Sequence, residues 1–338
     1  MSSQIRVILS CFGYLVGRGI GRQFSYELLA AVTGLDTKTL GDALDRLADA
    51  GLVFQQGSPP NASFLFKHAL VQEAAYGTLL RGPRQNLHAR TAIALEDRFP
   101  ETVAARSELL AQHYARAGMI EKAVTNWLRA GQQAIERSAM VEAIALLRKG
   151  LDQLSQLSEG AQRQEHELEL QLALGRALMA TRGFAAPEVG EICARARQLC
   201  DQINRPQSVP VLFSEWVHHF LRAELHQARQ GAEEMLLLGE DQNDIPLMGL
   251  GLRTLGMASF CLGDFSGCCN NLDRALALYD PSQLAYYTAL SPSDPYLVAR
   301  LWLARTLAWH GHLDQARTDM ATALAEARRL GHPQIVGH

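Results

Sequence analysis

The 338-residue chain holds only four lysines, at positions 38, 67, 122 and 149. None follows a glycine-rich loop, so the P-loop device, a lysine behind phosphate-cradling backbone N–H groups, is absent. Gly17-Arg18-Gly19-Ile20-Gly21 is rich in glycine, yet it lacks the third-glycine spacing and the acidic ribose partner of a dinucleotide fingerprint. No Gly-x-Ser-x-Gly elbow presents a nucleophilic serine. His218-His219, with His226 and Glu215, would set two or three donors on one helical face, but the spacing is not His-Glu-x-x-His. His310 and His312 flank Gly311, where they face water or helix carbonyls. The six cysteines (11, 193, 200, 261, 268 and 269) include no Cys-x-x-Cys pair and read as free, buried thiols in a reducing cytoplasm. Neither a catalytic residue, a metal nor a cofactor is expected.

His68 is the one residue whose position suggests ligand chemistry. It lies in Phe66-Lys67-His68-Ala69-Leu70-Val71-Gln72-Glu73-Ala74-Ala75-Tyr76, where a hairpin passes into a helix. The first turn of a helix has free N–H groups, so a histidine there can point at an anion or simply cap and pack.

The elements that would hold it follow from local pattern. Phe24–Val32 reads as a short helix stopped by Gly34. Asp36 or Thr37 caps a second helix, whose apolar stripe is Leu40, Ala43, Leu44, Leu47 and Ala48. Leu52-Val53-Phe54 and Phe64-Leu65-Phe66, joined through Gly57-Ser58-Pro59-Pro60-Asn61, read as a hairpin. A helix over His68–Leu80 follows, broken by Gly82-Pro83. Helix, turn, helix, hairpin is the order of a winged helix. Its reading helix, however, sets Lys38 and Arg46 against Asp42, Asp45 and Asp49, too little positive charge for phosphate contacts, so DNA is an improbable partner.

Beyond Pro83 the pattern is helical and it repeats. Leu110-Ala111, Tyr114, Gly118, Ala123, Trp127 and Ala130 set a spacing of small and large residues. It recurs at Leu255-Gly256, Ser259, Gly263, Cys268, Leu272 and Ala275, and again at Leu303-Ala304, Leu307, Gly311, Ala316, Met320 and Ala323. Small residues let antiparallel helices touch, glycine turns the chain, and large residues fill the groove. This is the tetratricopeptide-repeat (TPR) pattern. Helices over 139–157, 163–181, 187–203 and 209–238 read as degenerate repeats, and 280–294 as an insertion. Gly256, in mid-helix, costs about 1 kcal/mol relative to alanine, which close packing would explain.

A net charge of −3 and a pI near 6.4 argue against a protein living on nucleic acid or anionic lipid. No apolar run reaches the roughly 18 residues of a membrane span. The stretch from Val7 to Val16 behind Arg6 is a poor signal peptide, because the region from Gly17 to Gly21 is a poor cleavage site. A cytoplasmic location is expected.

The segments Ile20-Gly21-Arg22-Gln23-Phe24-Ser25-Tyr26-Glu27-Leu28-Leu29 and Phe66 to Tyr76, with Arg84-Gln85-Asn86-Leu87-His88 and Glu108-Leu109-Leu110-Ala111-Gln112-His113-Tyr114, resemble one group of signalling ATPases. These are STAND-type proteins in which a class III adenylyl/guanylyl cyclase domain precedes a P-loop NTPase, a winged helix and TPRs. The likeness spans about residues 19–338. It implies a sensing and regulatory C-terminal piece, with NTPase or cyclase domains as partners in trans or in a parent chain. It also implies that His68 contacts the phosphate of bound ADP when an NTPase domain is present, although Ala69 stands where the family has an acidic residue.

The expected fold is therefore mainly α: an unassigned segment 1–21, a small winged-helix domain with a β-hairpin over 22–82, and a TPR-like α-solenoid over 83–338. The expected function is a non-catalytic module that binds a protein or peptide in its concave groove. Trp216, His219, Tyr286 and Trp309 are the groove candidates. The alternatives are the regulatory segment of an adenylyl cyclase sharing its parent's ATP-binding and cyclase activity, and a DNA-binding transcriptional regulator.

Overall fold

A computed structural model describes residues 23–67, 80–204, 209–290 and 294–330. The chain divides into two compact units, residues 1–174 and 175–338. Both are helical, and the fold is that of a TPR-like solenoid preceded by a three-stranded sheet.

The first unit opens with β1 (Gln23–Ser25) and α1 (Tyr26–Thr33). The expected helix thus begins two residues late. Phe24 is in a strand because Gln23–Ser25 pairs antiparallel with β3 (Ser63–Phe66), which sets the Phe24 ring flat on Phe64 at 5.5 Å. Ser25 then caps α1, its Oγ accepting from Leu28 N–H at 3.2 Å, and Gly34 ends it at φ 65°. Asp36 caps α2 (Thr37–Asp49), accepting from Thr39 N–H at 2.9 Å. That bond and the Thr39 hydroxyl hold the carboxyl below its usual range. The stripe Leu40, Ala43, Leu44 and Leu47 is buried, as its spacing predicts. β2 (Val53–Gln56) pairs antiparallel with β3, giving the sheet order β1-β3-β2. Phe64 and Phe66 face the core while Leu65 is exposed, the period-two alternation of a half-buried strand. His68 and all but the last residue of the helix expected over His68–Leu80 lie outside the described residues.

Gly82-Pro83 opens a helix. α3 (Arg81–Arg98) carries both in its first turn, where proline's missing N–H removes no helix bond. It is followed by α4 (Pro100–Ala105), α5 (Ser107–Ala117), α6 (Ile120–Glu136), α7 (Met140–Leu154) and α8 (Ala161–Arg182), the last running on into the second unit. Gly118 makes the α5–α6 turn at φ 79°. A second hairpin turns at Ser138 (φ 59°), and around it the same spacing holds: Ala130-Gly131, Ala134, Ala143, Leu147 and Gly150, all buried.

The second unit continues with α9 (Pro187–Gln202), α10 (Val209–Leu221), α11 (Leu225–Gln242), α12 (Ile245–Cys261), α13 (Phe265–Ala277), α14 (Leu284–Leu290), α15 (Pro295–Trp309) and α16 (Leu313–Leu330). The single helix expected over 209–238 is two helices, because Ala223 takes φ 59° and turns the chain. Here too the register recurs, with Trp216, Ala228, Ala232 and Met235 buried at the repeat positions. The insertion 280–294 contributes a 3₁₀ turn (Pro281–Gln283) and α14. Gly256 has the packing reason its position suggests: a Cβ there would lie 2.8 Å from Leu272 Cγ, so α12 and α13 touch at that point.

Candidate functional site

Two surfaces concentrate chemistry, one in each unit. In the second, aromatic side chains from four helices meet. Phe220 on α10 and Phe260 on α12 each stand three residues before their turn residue, Ala223 and Gly263. Both approach Trp302 of α15 edge-on, at 6.0 and 5.4 Å between ring centres. Trp309, at the end of α15, meets Phe260 edge-on at 6.3 Å and stacks on Phe265 at 6.4 Å. The Arg305 guanidinium lies over both Phe260 and Trp302, at 5.2 and 5.3 Å, so cation and rings hold one another in place. The outer part of this cluster is open to solvent: Trp309 is 69% exposed. Cys261 is exposed beside it; partial burial raises its thiol pKa and the Arg305 charge opposes that.

The first unit carries a cleft of about 540 Å³, lined by Arg81, Arg84, Gln85 and His88 of α3, by Arg116 and Gly118 at the end of α5, and by Gln156 after α7. Behind it His88 and His113 are both buried, their Nδ1 atoms 3.3 Å apart, so one ring's N–H donates to the other's bare nitrogen. Burial pushes both pKa values down, His88 the further and His113 to about 3; the Arg116 charge adds to both, and His113 acts on His88 as well. Both rings are therefore neutral at pH 7.

The residues singled out from sequence separate. Trp216 does not face a groove: it is 4% exposed and packs among Leu212, Ala228, Ala232 and Met235. His218 is buried, with Nδ1 2.9 Å from the Phe184 carbonyl. His219 Nδ1 lies 2.7 Å from Glu224 Oε2, and Glu215 is taken by Arg197 at 2.6 Å. The set His218, His219, His226 and Glu215 thus does not converge, and among the described residues no three potential metal ligands do. His310 and His312 are exposed, their rings 6.1 Å apart, with His310 edge-on to Phe265. Tyr286 is half-exposed and its hydroxyl donates to Asp244 at 2.5 Å. Of the groove candidates, Trp309 is the exposed member of the aromatic surface, while Trp216 joins the cluster from the core side, stacked on Phe220 at 4.8 Å. Burial pushes the Cys193 thiol up to about 12 and that of Cys268 to about 11, so neither is a thiolate nucleophile at neutral pH.

Sequence reasoning missed Arg305, Phe260 and Trp302 as a group, and the whole cleft around Arg116. The first had a signal, since Phe220 and Phe260 recur at one register position. The second left only a fragment: Arg84, Gln85 and His88 stand in a segment that carries the family resemblance, but nothing in the sequence pairs them with Arg116, because α3 and α5 bring together residues some thirty apart.

No protein-family model matches the chain. It is 30% identical over 326 residues to an uncharacterised protein of Rhizobium meliloti (strain 1021), a match that takes in 94% of this chain and 31% of that protein. The chain therefore spans about a third of the length of this curated relative. Among solved structures, aspartyl phosphate phosphatase F from Bacillus subtilis is similar with a TM-score of 0.51 and 11% identity, over 99% of this chain and 78% of that one. A STAND protein with a tetratricopeptide repeat sensor from Pyrococcus horikoshii gives 0.44 at 13% identity, over 97% and 51%. At these identities the likeness concerns the fold: this chain is a TPR-like α-solenoid. Among the described residues no helix is long and apolar enough to cross a membrane.

Proposed function

We propose that the chain is a non-catalytic regulatory and protein-interaction module, and that it captures a protein or peptide on the aromatic surface of the second unit. The exposure of Trp309 beside Phe260, Trp302 and Arg305 carries this reading. Contiguous exposed apolar surface marks interaction sites, and Trp, Tyr and Arg dominate the energetics of interfaces. Among the described residues none pairs with the N–H donors at the edge of Arg305 while its face is stacked, so the ligand that fits pairs an apolar side chain with a carboxylate.

We further propose, from the resemblance around Phe66 to Tyr76, that this module is the sensor segment of a longer signalling ATPase or cyclase. The region before α3 would be its winged helix and His68 its nucleotide-sensing residue when an NTPase domain is present. The shared third of the Rhizobium meliloti protein is compatible with such a segment. A DNA-binding reading gains nothing from α2, whose acidic residues outnumber its basic ones.

Peptide-library selection against the purified chain, followed by calorimetry of the selected peptide, tests the binding role. Trp309→Ala and Arg305→Ala should each weaken binding about tenfold or more. Cyclic-AMP formation by the purified chain, or selected peptides indifferent to both changes, would overturn it.

A further inference from the structure

We infer that the cleft between α3 and α5, lined by Arg81, Arg84, Gln85, His88, Arg116 and Gln156, binds a small phosphate-bearing molecule. Three guanidiniums from two helices converge on it, and no carboxylate is among its described lining residues. Neither Arg81 nor Arg116 makes an ion pair with another described residue. A guanidinium is a planar fork of donors that matches phosphate oxygens two at a time, and it keeps its charge at every working pH. A phosphate group offers three oxygens and up to two charges, so several forks can share it; one carboxylate fills a single fork.

Two further observations narrow the ligand. Among its described lining residues only Leu80 and Ala115 are apolar, none is Phe, Tyr or Trp, and the one ring, His88, is buried, so they offer no exposed aromatic platform on which a nucleobase would stack. The volume, about 540 Å³, lies within the roughly 300–1,000 Å³ of small-ligand pockets and exceeds a lone phosphate. The fitting class is a compact phosphate ester or pyrophosphate. His88 contributes a neutral ring rather than a fourth cation, because burial and the neighbouring Arg116 charge keep it unprotonated. The turn at Gly118 shapes the rim: its φ of 79° suits glycine, and an added Cβ would stand 3.4 Å from Gln85 Nε2. This inference uses the first unit alone and is independent of the peptide reading.

Calorimetric titration of the full chain with inorganic pyrophosphate, against a parallel titration with citrate, is the test. We expect one saturable site whose affinity falls as salt is added. Arg81→Gln and Arg116→Gln, both at exposed positions and checked for unchanged helix content by circular dichroism, should each weaken it at least tenfold. Arg305→Gln in the second unit should leave it unchanged, and citrate should bind at least tenfold more weakly. Absence of saturable binding, equal losses in Arg305→Gln, or citrate binding as tight as pyrophosphate would each overturn the inference.

Discussion

Arg116 and Trp309 occupy the same place in their hairpins, each two residues before the residue that turns the chain, Gly118 in one unit and Gly311 in the other. Both are exposed at the end of a first helix, and the small residues around each turn keep the same intervals. In the first unit that place carries a cation beside two more arginines; in the second it carries an indole beside Phe260 and Arg305. Ser138, Ala223 and Gly263 place Glu136, Leu221 and Cys261 there. The core spacing fixes the scaffold and leaves this position free, so the two units can differ in chemistry while sharing a fold.

The comparison breaks most visibly if tryptophans inside and outside the register behave alike. Trp216→Ala empties a core position and should cost about 3–5 kcal/mol in denaturant unfolding. Trp309→Ala should cost under about 0.5 kcal/mol, since exposed substitutions usually do, while abolishing most peptide affinity. Similar costs for both would mean that Trp309 is a core residue and not part of an exposed aromatic surface.

A smaller effect separates the units by pH. His88 and His113 have folded pKa values below the ordinary 6.5, so the unfolded chain takes up protons first. Stability is full above pH 6.5 and falls as pH drops towards about 3, the folded value for His113. Between pH 6.5 and 5 the loss is about 2 kcal/mol for one such histidine. Unfolding followed by a probe in the first unit should show it, and His88→Gln with His113→Gln together should flatten the profile. A slope untouched by the double change would place the acid sensitivity elsewhere.

The smallest effect sharpens the account of the turns. Ala223 pays the left-handed strain that glycine avoids, so Ala223→Gly should stabilise the chain by up to about 1 kcal/mol, less whatever glycine's extra unfolded-state freedom removes. A clear destabilisation in thermal melts would contradict the shared register.

The same residues explain what could be read in the sequence. Hairpins at Gly118, Gly263 and Gly311 were legible because glycine marks a left-handed turn. Those at Ser138 and Ala223 carry no such mark, and only the intervals of small residues reveal them; the helix expected over 209–238 was joined for that reason. An aromatic on a repeat helix suggests a groove residue, but Trp216 stands seven before its turn, the inward position that Ala111, Gly131, Gly256 and Ala304 also hold. Phe24 went to a strand because its pairing with Phe64, forty residues on, outweighed local helix preference. The arginine cleft was illegible for the same cause: it exists only once α3 packs on α5.

The most direct measurement is the affinity of one selected peptide for two variants side by side, Trp309→Ala and Arg116→Gln. The account predicts at least a tenfold loss for the first and none for the second. A loss with Arg116→Gln, or none with Trp309→Ala, would contradict the assignment of peptide capture to the aromatic surface.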